Sequence, residues 1–534
     1  EGGLHLTYPH QAANRPPLLG ERWRQGDVCV QTPARGFGRF VLDTEPHAAP
    51  TRLWWHVART RSWVEAARRG ELLREGEPFE LPVYAIASEP LVVFDQISTS
   101  LTAWSGIDLR FGYVALAEPH DNTRLRVVLS FSSPGQRGGD VLATQWGAHF
   151  EHLRDAGAIR QGVWIRCDEL PTLPPWRAPE TWGEFTTALA ATGIDLMEIL
   201  RQLSPDLRDG KGHLLLIGAP VPVRVGEAVK QIQWVALRLP VLSTRNQPRK
   251  GFRPGEEGAW RRDQEVVLAP ARSLSWVPTG NWASEEISTR GRAAPLLRNA
   301  RIVQIGAGAL GSMLAELLVR EGVTALTVMD GDTLTAGNLV RHTLSVADVG
   351  VRKATALAQH LNLANPHAQV AGIAEEFPGE ARGQAALAEA EIVIDTTGSD
   401  ALLQQLRLHG WGNEKLFVSI SVGFFARRLF YFSAREVNFP LKEFAAFVDP
   451  WLLYEREELG DAEMPWEGTG CWHPVFPARA SDFAMFAGVA LRQLEAALTM
   501  PAGEHIFHVT ERVEDSSGAI QLRRATLPNP EPDV

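Results

Sequence analysis

A glycine-rich turn is the first feature of this chain whose residue types and spacing could support chemistry. The sequence GAGALG at positions 306–311 follows an apolar stretch and precedes apolar residues at helical spacing. Gly306 permits a tight turn, Gly308 lets the backbone approach a phosphate, and Gly311 lets a helix pack closely on a strand. Because the first N–H groups of that helix would face an anion, the turn predicts a nucleotide phosphate site.

Polar side chains follow the turn at positions that suit a nucleoside triphosphate. Asp330 ends the next apolar stretch, where a carboxylate could bind a ribose hydroxyl. Further candidates for nucleotide contact come shortly afterwards: Asp332, Asn338, Arg341 and Lys353. A redox dinucleotide needs no arginine and lysine beyond the ribose acid, whereas the phosphates of ATP carry several negative charges. The set therefore favours ATP as the cofactor.

The three cysteines lie far apart, so no CxxC pair of a structural zinc site is present. Cys471 lies in the glycine-rich stretch PWEGTGCWHP at 465–474, where His473 could help to form its thiolate, and is a predicted nucleophile. Cys167 ends an apolar stretch and is predicted to be buried. Sparse cysteines without a signal peptide predict a reducing cytoplasm.

Length and composition predict several globular domains that bind neither membrane nor nucleic acid. The chain has 534 residues, of which 45% are hydrophobic and 22% charged, and its net charge is −10. No apolar run reaches the roughly 18 residues of a membrane span. Because the chain begins at Glu1 rather than methionine, we expect its natural N-terminus to be missing.

The elements that must position these residues predict an α/β fold. Apolar strands at 302–305 and 325–329 flank a helix at 312–320, and the chain before them reads as mixed α/β. In that earlier part we expect a helix at 182–203 and a polar surface loop at 244–263. Four segments are expected: 1–84, 85–285, 286–425 and 426–534.

The motifs GAGALGS, DGD, NLVRH and GVRKA resemble those of the ThiF/MoeB and ubiquitin-activating superfamily. The resemblance implies a Rossmann-like ThiF-type adenylation domain at 286–425 that uses ATP and Mg²⁺ to adenylate a protein C-terminal carboxylate. The family's magnesium aspartate corresponds to Gly398 here, so Asp395 or Asp400 is expected to hold the ion instead. A helix before the domain often supplies a phosphate-binding arginine, and Arg290 and Arg292 are its candidates.

The N-terminal segment YP…GDVCV…RLWWHVARTRSWVEAARRGEL…EPFE resembles the catalytic part of a ubiquitin-conjugating-like domain. The resemblance implies that Cys29 is a thioester cysteine, in a segment that is incomplete before Glu1. The family's His-Pro-Asn motif is missing, since His5, His10 and Asn14 do not have its spacing.

The string GCWHPVFPA resembles the active-cysteine segment of bacterial activating enzymes fused to conjugating-like domains, and 85–285 would be their mixed α/β linker domain. The order of segments resembles the CBASS-type antiphage conjugation enzymes. It implies acyl transfer from Cys471 to Cys29 and on to a target amine, with a ubiquitin-like protein or a nucleotidyltransferase C-terminus as substrate. A homodimer is expected by analogy. A sulfur-transfer or tRNA-modifying ThiF-type enzyme and an inactive ThiF-like binding scaffold are the alternatives.

Overall fold

Two compact units, each with its own sheet, make up the computed structural model of the chain. The first consists of Glu1–Gln145 and Leu153–Glu286, and the second of Trp146–His152 and Ile287–Val534. The α/β class expected from the sequence is confirmed, whereas the division into four segments stays a prediction. The residues described are 6–16, 18–30, 45–84, 90–120, 122–135, 139–155, 159–244, 251–467, 473–474 and 476–527.

The first unit is built on a nine-stranded mixed sheet. Its strand order is β8-β7-β6-β5-β2-β3-β1-β9, with β4 paired to β3. Buried aromatic rings fill one face of the sheet, where Phe131 and Trp234 stack with their centroids 4.6 Å apart. The strands are β1 (Leu91–Phe94), β2 (Phe111–Ala117), β3 (Leu125–Ser132), β4 (Asp140–Ala143), β5 (Ile159–Arg166), β6 (His213–Pro222), β7 (Val229–Leu239), β8 (Trp276–Val277) and β9 (Thr279–Asn281).

Two expectations for the first unit are wrong. The helix expected at 182–203 is two helices, because Gly193 at φ +77° interrupts it and the Asp195 side chain caps the second. The loop expected at 244–263 contains a helix, since Trp260 is buried in the core. The helices are α1 (Ala49–Arg69), α2 (Ser98–Ser105), α4 (Trp182–Ala191), α5 (Leu196–Leu203) and α6 (Glu256–Arg262). Two others, α3 (Ala148–Asp155) and α7 (Ser284–Ile287), lie where the chain passes between units.

The second unit has an eight-stranded sheet in the order β12-β11-β10-β13-β14-β15-β18-β19. The pairs from β12 to β14 are parallel and the remaining pairs are antiparallel. A separate antiparallel pair is formed by β16 and β17. The strands are β10 (Ile302–Ile305), β11 (Ala325–Met329), β12 (Gln369–Ile373), β13 (Ile392–Asp395), β14 (Lys415–Val422), β15 (Arg428–Glu436), β16 (Trp466–Glu467), β17 (His473–Pro474), β18 (His505–Glu514) and β19 (Ile520–Arg524).

Helices cover this sheet, and the largest core of the unit includes the buried faces of α9, α10 and α14. No described helix is apolar over a length that would cross a membrane. The chain passes from β10 through β11 to β12 on one side and returns to β13 on the other, so a switch point lies at the carboxyl end of β10. The helices are α8 (Pro295–Arg298), α9 (Ala309–Arg320), α10 (Lys353–Ala364), α11 (Ala381–Glu389), α12 (Asp400–Leu408), α13 (Leu441–Leu459) and α14 (Ala480–Ala497).

Candidate functional site

The glycine turn between β10 and α9 is so closely packed that two of its positions exclude a side chain. Gly306 has φ +99°, and a Cβ there would lie 2.8 Å from Thr396 Oγ1. At Gly311 a Cβ would lie 2.3 Å from the Gly306 carbonyl oxygen. Both glycines therefore occur where turn conformation and close approach require them.

Polar side chains from neighbouring strands hold the turn in place. The buried Gln304 donates from Nε2 to the carbonyl oxygens of Gly306 at 3.0 Å and Gly311 at 2.8 Å. Thr396 Oγ1 lies 3.0 Å from the Gly306 carbonyl oxygen, to which it donates. The turn is thus shaped by side chains that the sequence motif does not contain.

Asp330 and His342 bind the residue between the first two glycines. Asp330 Oδ2 accepts from the Ala307 N–H at 2.7 Å, and His342 Nε2 donates to the Ala307 carbonyl oxygen at 2.6 Å. His342 Nδ1 accepts from the Leu344 N–H at 3.1 Å, so the ring is held as the Nε2–H tautomer. Burial lowers the pKa of His342, which favours this neutral form. The motif NLVRH contains His342, but sequence reasoning gave it no role.

A cavity of about 400 Å³ opens at the carboxyl ends of β10, β13 and β14. Gly308 borders it after β10, Thr397 after β13, and Ser421 near the end of β14. Asn338 and Arg341 of the predicted nucleotide-binding set also line this cavity. Because ligands in open α/β sheets bind outside the carboxyl ends of strands at a switch point, this is where a nucleotide would be expected.

Gly308 differs from the other two glycines of the turn. No heavy atom lies within 4 Å of a Cβ built on it, and its φ of −76° is one that any residue adopts. Gly308 is also the N-cap residue of α9, whose first amides are free of helical partners. The space beside Gly308 and these amides fits a bound phosphate group, which α9 would stabilise.

Arg341 joins this cavity to the segment that follows Cys471. Its guanidinium donates to the Phe476 carbonyl oxygen and lies 5.8 Å from the centroid of the Phe483 ring. Asn338 Oδ1 accepts from the Thr335 N–H at 3.0 Å, which shapes the short helix at the cavity edge. Whether either side chain binds a phosphate stays a prediction.

Lys353 and Asp332 form an ion pair at the start of α10. The Lys353 Nζ lies 2.7 Å from Asp332 Oδ2, and the Lys353 N–H donates to the Asp332 carbonyl oxygen at 2.9 Å. Lys353 is mostly buried, whereas the Asp332 side chain is 74% exposed. Whether this ammonium group binds a phosphate stays a prediction.

The carboxylate of Asp395, the expected magnesium ligand, is buried and hydrogen-bonded within the protein, and its role as a metal ligand stays a prediction. Its Oδ1 accepts from Thr397 Oγ1 at 2.7 Å and from the Thr397 N–H at 2.9 Å, and its Oδ2 accepts from Ser419 Oγ at 2.9 Å. The residue is 1% exposed, and burial raises its pKa. Within the described part of the chain, no three or more His, Cys, Asp or Glu residues are grouped to hold a metal ion. Asp400, the alternative, is exposed as the first residue of α12.

The arginine candidates before β10 lie outside any long helix. Arg290 ends a 3₁₀ turn at Ser288–Arg290, and both Arg290 and Arg292 are exposed. The continuous helix expected to carry them is wrong, because Gly291 ends the turn and α8 starts only at Pro295.

The three cysteines have different surroundings. Cys471 lies outside the described residues. Cys167 is 2% exposed, and burial raises the pKa of its thiol to about 12, which confirms the predicted buried cysteine. Cys29 is exposed and borders a cavity of about 540 Å³ that Arg59 and Trp63 also line.

Two family models match the chain, in adjacent stretches. Residues 70–282 match the Cap2 central linker domain, and residues 285–405 match the ThiF family. The crystal structure of E. coli MccB with AMPCPP and MccA is 16% identical, with a TM-score of 0.29, and the match covers 44% of this chain and 66% of that one.

Two curated relatives differ in how much of the chain they cover. The molybdopterin-synthase adenylyltransferase of Escherichia coli K12 is 34% identical over 21% of this chain and 44% of its own length. The ATP-dependent ubiquitin transferase-like protein Cap2 of Enterobacter hormaechei subsp. hoffmannii is 34% identical over 93% of this chain and 83% of its own length. The chain therefore belongs to the Cap2 family of ATP-dependent ubiquitin transferase-like proteins and is an adenylating enzyme with a ThiF domain.

Proposed function

We propose that the chain adenylates the C-terminal carboxylate of a ubiquitin-like protein or a nucleotidyltransferase and conjugates it to a target amine. The acyl group would pass from the adenylate to Cys471, then to Cys29 and finally to the amine. The observation that carries this proposal is the open space at Gly308, in a cavity that Arg341 links to the segment after Cys471.

The first step joins substrate and nucleotide. A carboxylate oxygen of the substrate attacks the α-phosphorus of ATP, an O–P bond forms and pyrophosphate leaves. The first amides of α9 and the Arg341 guanidinium would stabilise the charge on the phosphates. The Asp330 carboxylate has lone pairs beyond those that bind Ala307 and Asp332, so it can also accept a ribose hydroxyl. Mg²⁺ stays a prediction, and no step is assigned to it.

The later steps transfer the acyl group between thiols. The Cys471 thiolate attacks the acyl carbon, a C–S bond forms and AMP leaves. Cys471 precedes Phe476 by five positions, and Arg341 binds the Phe476 carbonyl oxygen at the edge of the cavity, which supports this order. Cys29 would then take the acyl group by thioester exchange, which its exposure supports.

The names of the relatives support the conjugation reading over sulfur transfer. The Cap2 relative, named as a ubiquitin transferase-like protein, matches 93% of the chain, whereas the molybdopterin-synthase adenylyltransferase matches 21%. A sulfur-transfer function would also give no role to the cavity of about 540 Å³ that the exposed Cys29 borders. We extend the proposal to a cytoplasmic homodimer in bacterial antiphage defence.

Pyrophosphate exchange and non-reducing gels test this proposal. With ATP, Mg²⁺ and proteins encoded beside this chain, we expect a thiol-sensitive adduct that Cys471→Ala abolishes. Cys167→Ala is the matched control, because that thiol is buried and should not carry substrate. Asp330→Ala should abolish exchange. An adduct in none of the mixtures, or full exchange by Asp330→Ala, contradicts the proposal.

A further inference from the structure

The surroundings of Cys29 contain a second group with the chemistry of acyl transfer, the imidazole of His10. His10 and Cys29 both line the cavity of about 540 Å³ and a second concavity of about 590 Å³. The Cys29 N–H donates to the His10 carbonyl oxygen at 2.7 Å, and Gln11 pairs with Val28 in an antiparallel bridge. Backbone contacts therefore hold the thiol and the imidazole residues side by side.

Two carboxylates flank the His10 ring. Its Nδ1 lies 2.5 Å from Glu80 Oε2, and its Nε2 lies 3.8 Å from Glu77 Oε2. The first is a close contact between a ring nitrogen and a carboxylate oxygen, and the second is too long for a hydrogen bond. A neutral ring with its proton on Nδ1, toward Glu80, would keep the lone pair on Nε2. The His10 side chain is 31% exposed, so part of the ring is open to solvent.

The backbone at His10 is also unusual. Its φ is +57°, in the left-handed region that few residues other than glycine adopt. Such conformations cluster at functional sites, where the surrounding structure maintains them. Here the bond from the Cys29 amide and the Gln11–Val28 bridge maintain the conformation.

We propose that His10 accepts the proton of the amine that attacks the Cys29 thioester, with Glu80 as the residue that positions its ring. This inference depends on the proposed role of Cys29 as an acyl carrier. The amine nitrogen forms a bond to the acyl carbon, and the C–S bond breaks. The electron pair of that bond leaves on the Cys29 sulfur. The amine proton moves to His10 Nε2, where the Glu77 and Glu80 carboxylates face the new positive charge.

Asn14, the other described residue weighed for the missing His-Pro-Asn motif, has a structural role. Its Nδ2 donates to the Leu6 carbonyl oxygen at 2.9 Å, and its Oδ1 accepts from Arg24 Nε at 3.0 Å. His10 is therefore the better candidate for the chemistry at Cys29.

A discharge assay separates this role from a structural one. The full chain with Cys471→Ala is loaded at Cys29 by thiol exchange with a glycine-ending peptide α-thioester of 2-mercaptoethanesulfonate, so neither ATP nor Cys471 takes part. Intact mass then follows discharge to free lysine and to hydroxylamine. Hydroxylamine is neutral and strongly nucleophilic at neutral pH, so it needs little help from a base.

We expect His10→Asn to slow discharge to lysine about 100-fold and to leave discharge to hydroxylamine within about twofold. Asparagine tolerates the left-handed backbone, so the variant removes the ring without new strain. Glu80→Gln should show the same selective loss, about tenfold. His120→Asn, at an exposed histidine of the same unit, is the matched control and should discharge to both nucleophiles at the unsubstituted rate.

Lysine discharge at the unsubstituted rate by His10→Asn overturns the inference and leaves the proposed function intact. Equal loss toward both nucleophiles also overturns it, because that result indicates a structural role. Failure of Cys29 to load overturns the inference together with the carrier role of Cys29. A failed ATP-dependent adduct beside normal peptide loading refutes only the proposed activation steps.

Discussion

Alanine substitutions in the GAGALG turn can separate an effect on nucleotide binding from an effect on folding. Gly308 and Gly311 differ in the space available for an added methyl group. Gly308→Ala adds a Cβ with no heavy atom within 4 Å. Gly311→Ala adds one at 2.3 Å from the Gly306 carbonyl oxygen and 2.6 Å from Thr396 Oγ1. We expect the first substitution to impair ATP binding and the second to impair stability.

The expected changes in stability follow from these contacts. At Gly308, alanine restricts the unfolded chain, which stabilises by about 0.4–1 kcal/mol, and is a poorer N-cap than glycine by a similar amount. The free energy of unfolding should therefore change by less than about 1 kcal/mol. At Gly311 the buried backbone must shift, which costs about 1–3 kcal/mol or more.

Gly308→Ala is expected to weaken ATP binding because Gly308 is predicted to lie close to a phosphate. A methyl group there displaces the phosphate and weakens a hydrogen bond to a charged group, worth about 1.5–3 kcal/mol. That loss corresponds to roughly 10- to 150-fold in the Kd of ATP. Calorimetric titration with AMPCPP measures it, and thermal unfolding of the same samples measures stability.

Two results would refute this reasoning. Unchanged AMPCPP affinity in Gly308→Ala means that the phosphates do not pass over this residue. If Gly308→Ala loses as much stability as Gly311→Ala, the open space beside Gly308 does not determine whether the fold accepts a side chain at that position.

Two further predictions concern buried charges of the second unit. Arg428→Ala should lower the free energy of unfolding by about 3–5 kcal/mol, because it leaves Glu455, Glu458 and Glu511 without their buried partner. Chemical denaturation measures this change. A loss under about 1 kcal/mol contradicts the prediction. Asp395→Asn should reduce the pH dependence of stability. Burial raises the pKa of Asp395 from 3.8, so stability falls as pH rises from that value through the raised one. Melting temperatures across this range test it, and an unchanged pH dependence contradicts it.

The adenylation sheet was predictable because parallel strands are buried on both faces and read as apolar runs. The strands Ile302–Ile305 and Ala325–Met329 have the expected bounds. The helix between them starts at Ala309 rather than at the expected residue 312, because Gly308 already serves as its N-cap. Local apolar patterns therefore predicted this part of the fold, but they located the helix end less accurately than the strand ends.

The polar groups that shape the site were not predictable in the same way. Gln304 lies inside an apolar strand, and Thr396 follows another strand about ninety positions away. The Thr396 bond depends on two strands that are neighbours in space, and the Gln304 bonds depend on a polar side chain buried in a strand. Apolar periodicity shows neither. His342 was missed for the same reason, since its partner Ala307 is distant in sequence.

Asp395 shows a different limit of the sequence pattern, which does not give the direction of a side chain. An acid at the carboxyl end of a buried strand is a reasonable ligand candidate. Its direction is decided by Ser419 on the adjacent strand, and by the hydroxyl of Thr397, which both donate to it. Sequence alone does not indicate whether a carboxylate at that position faces the ligand or the protein.

The Arg341 side chain takes part in both halves of the proposed chemistry, which are nucleotide binding and acyl transfer to Cys471. A guanidinium has five N–H donors, and the Phe476 carbonyl oxygen uses only part of them. If the remaining donors bind phosphate as predicted, nucleotide binding and the position of the segment after Cys471 share one cation. Two ligands that share a group are coupled, and the coupling acts equally in both directions. Pyrophosphate release would then change the contacts of Arg341 at the moment when a thiol must reach the acyl-adenylate.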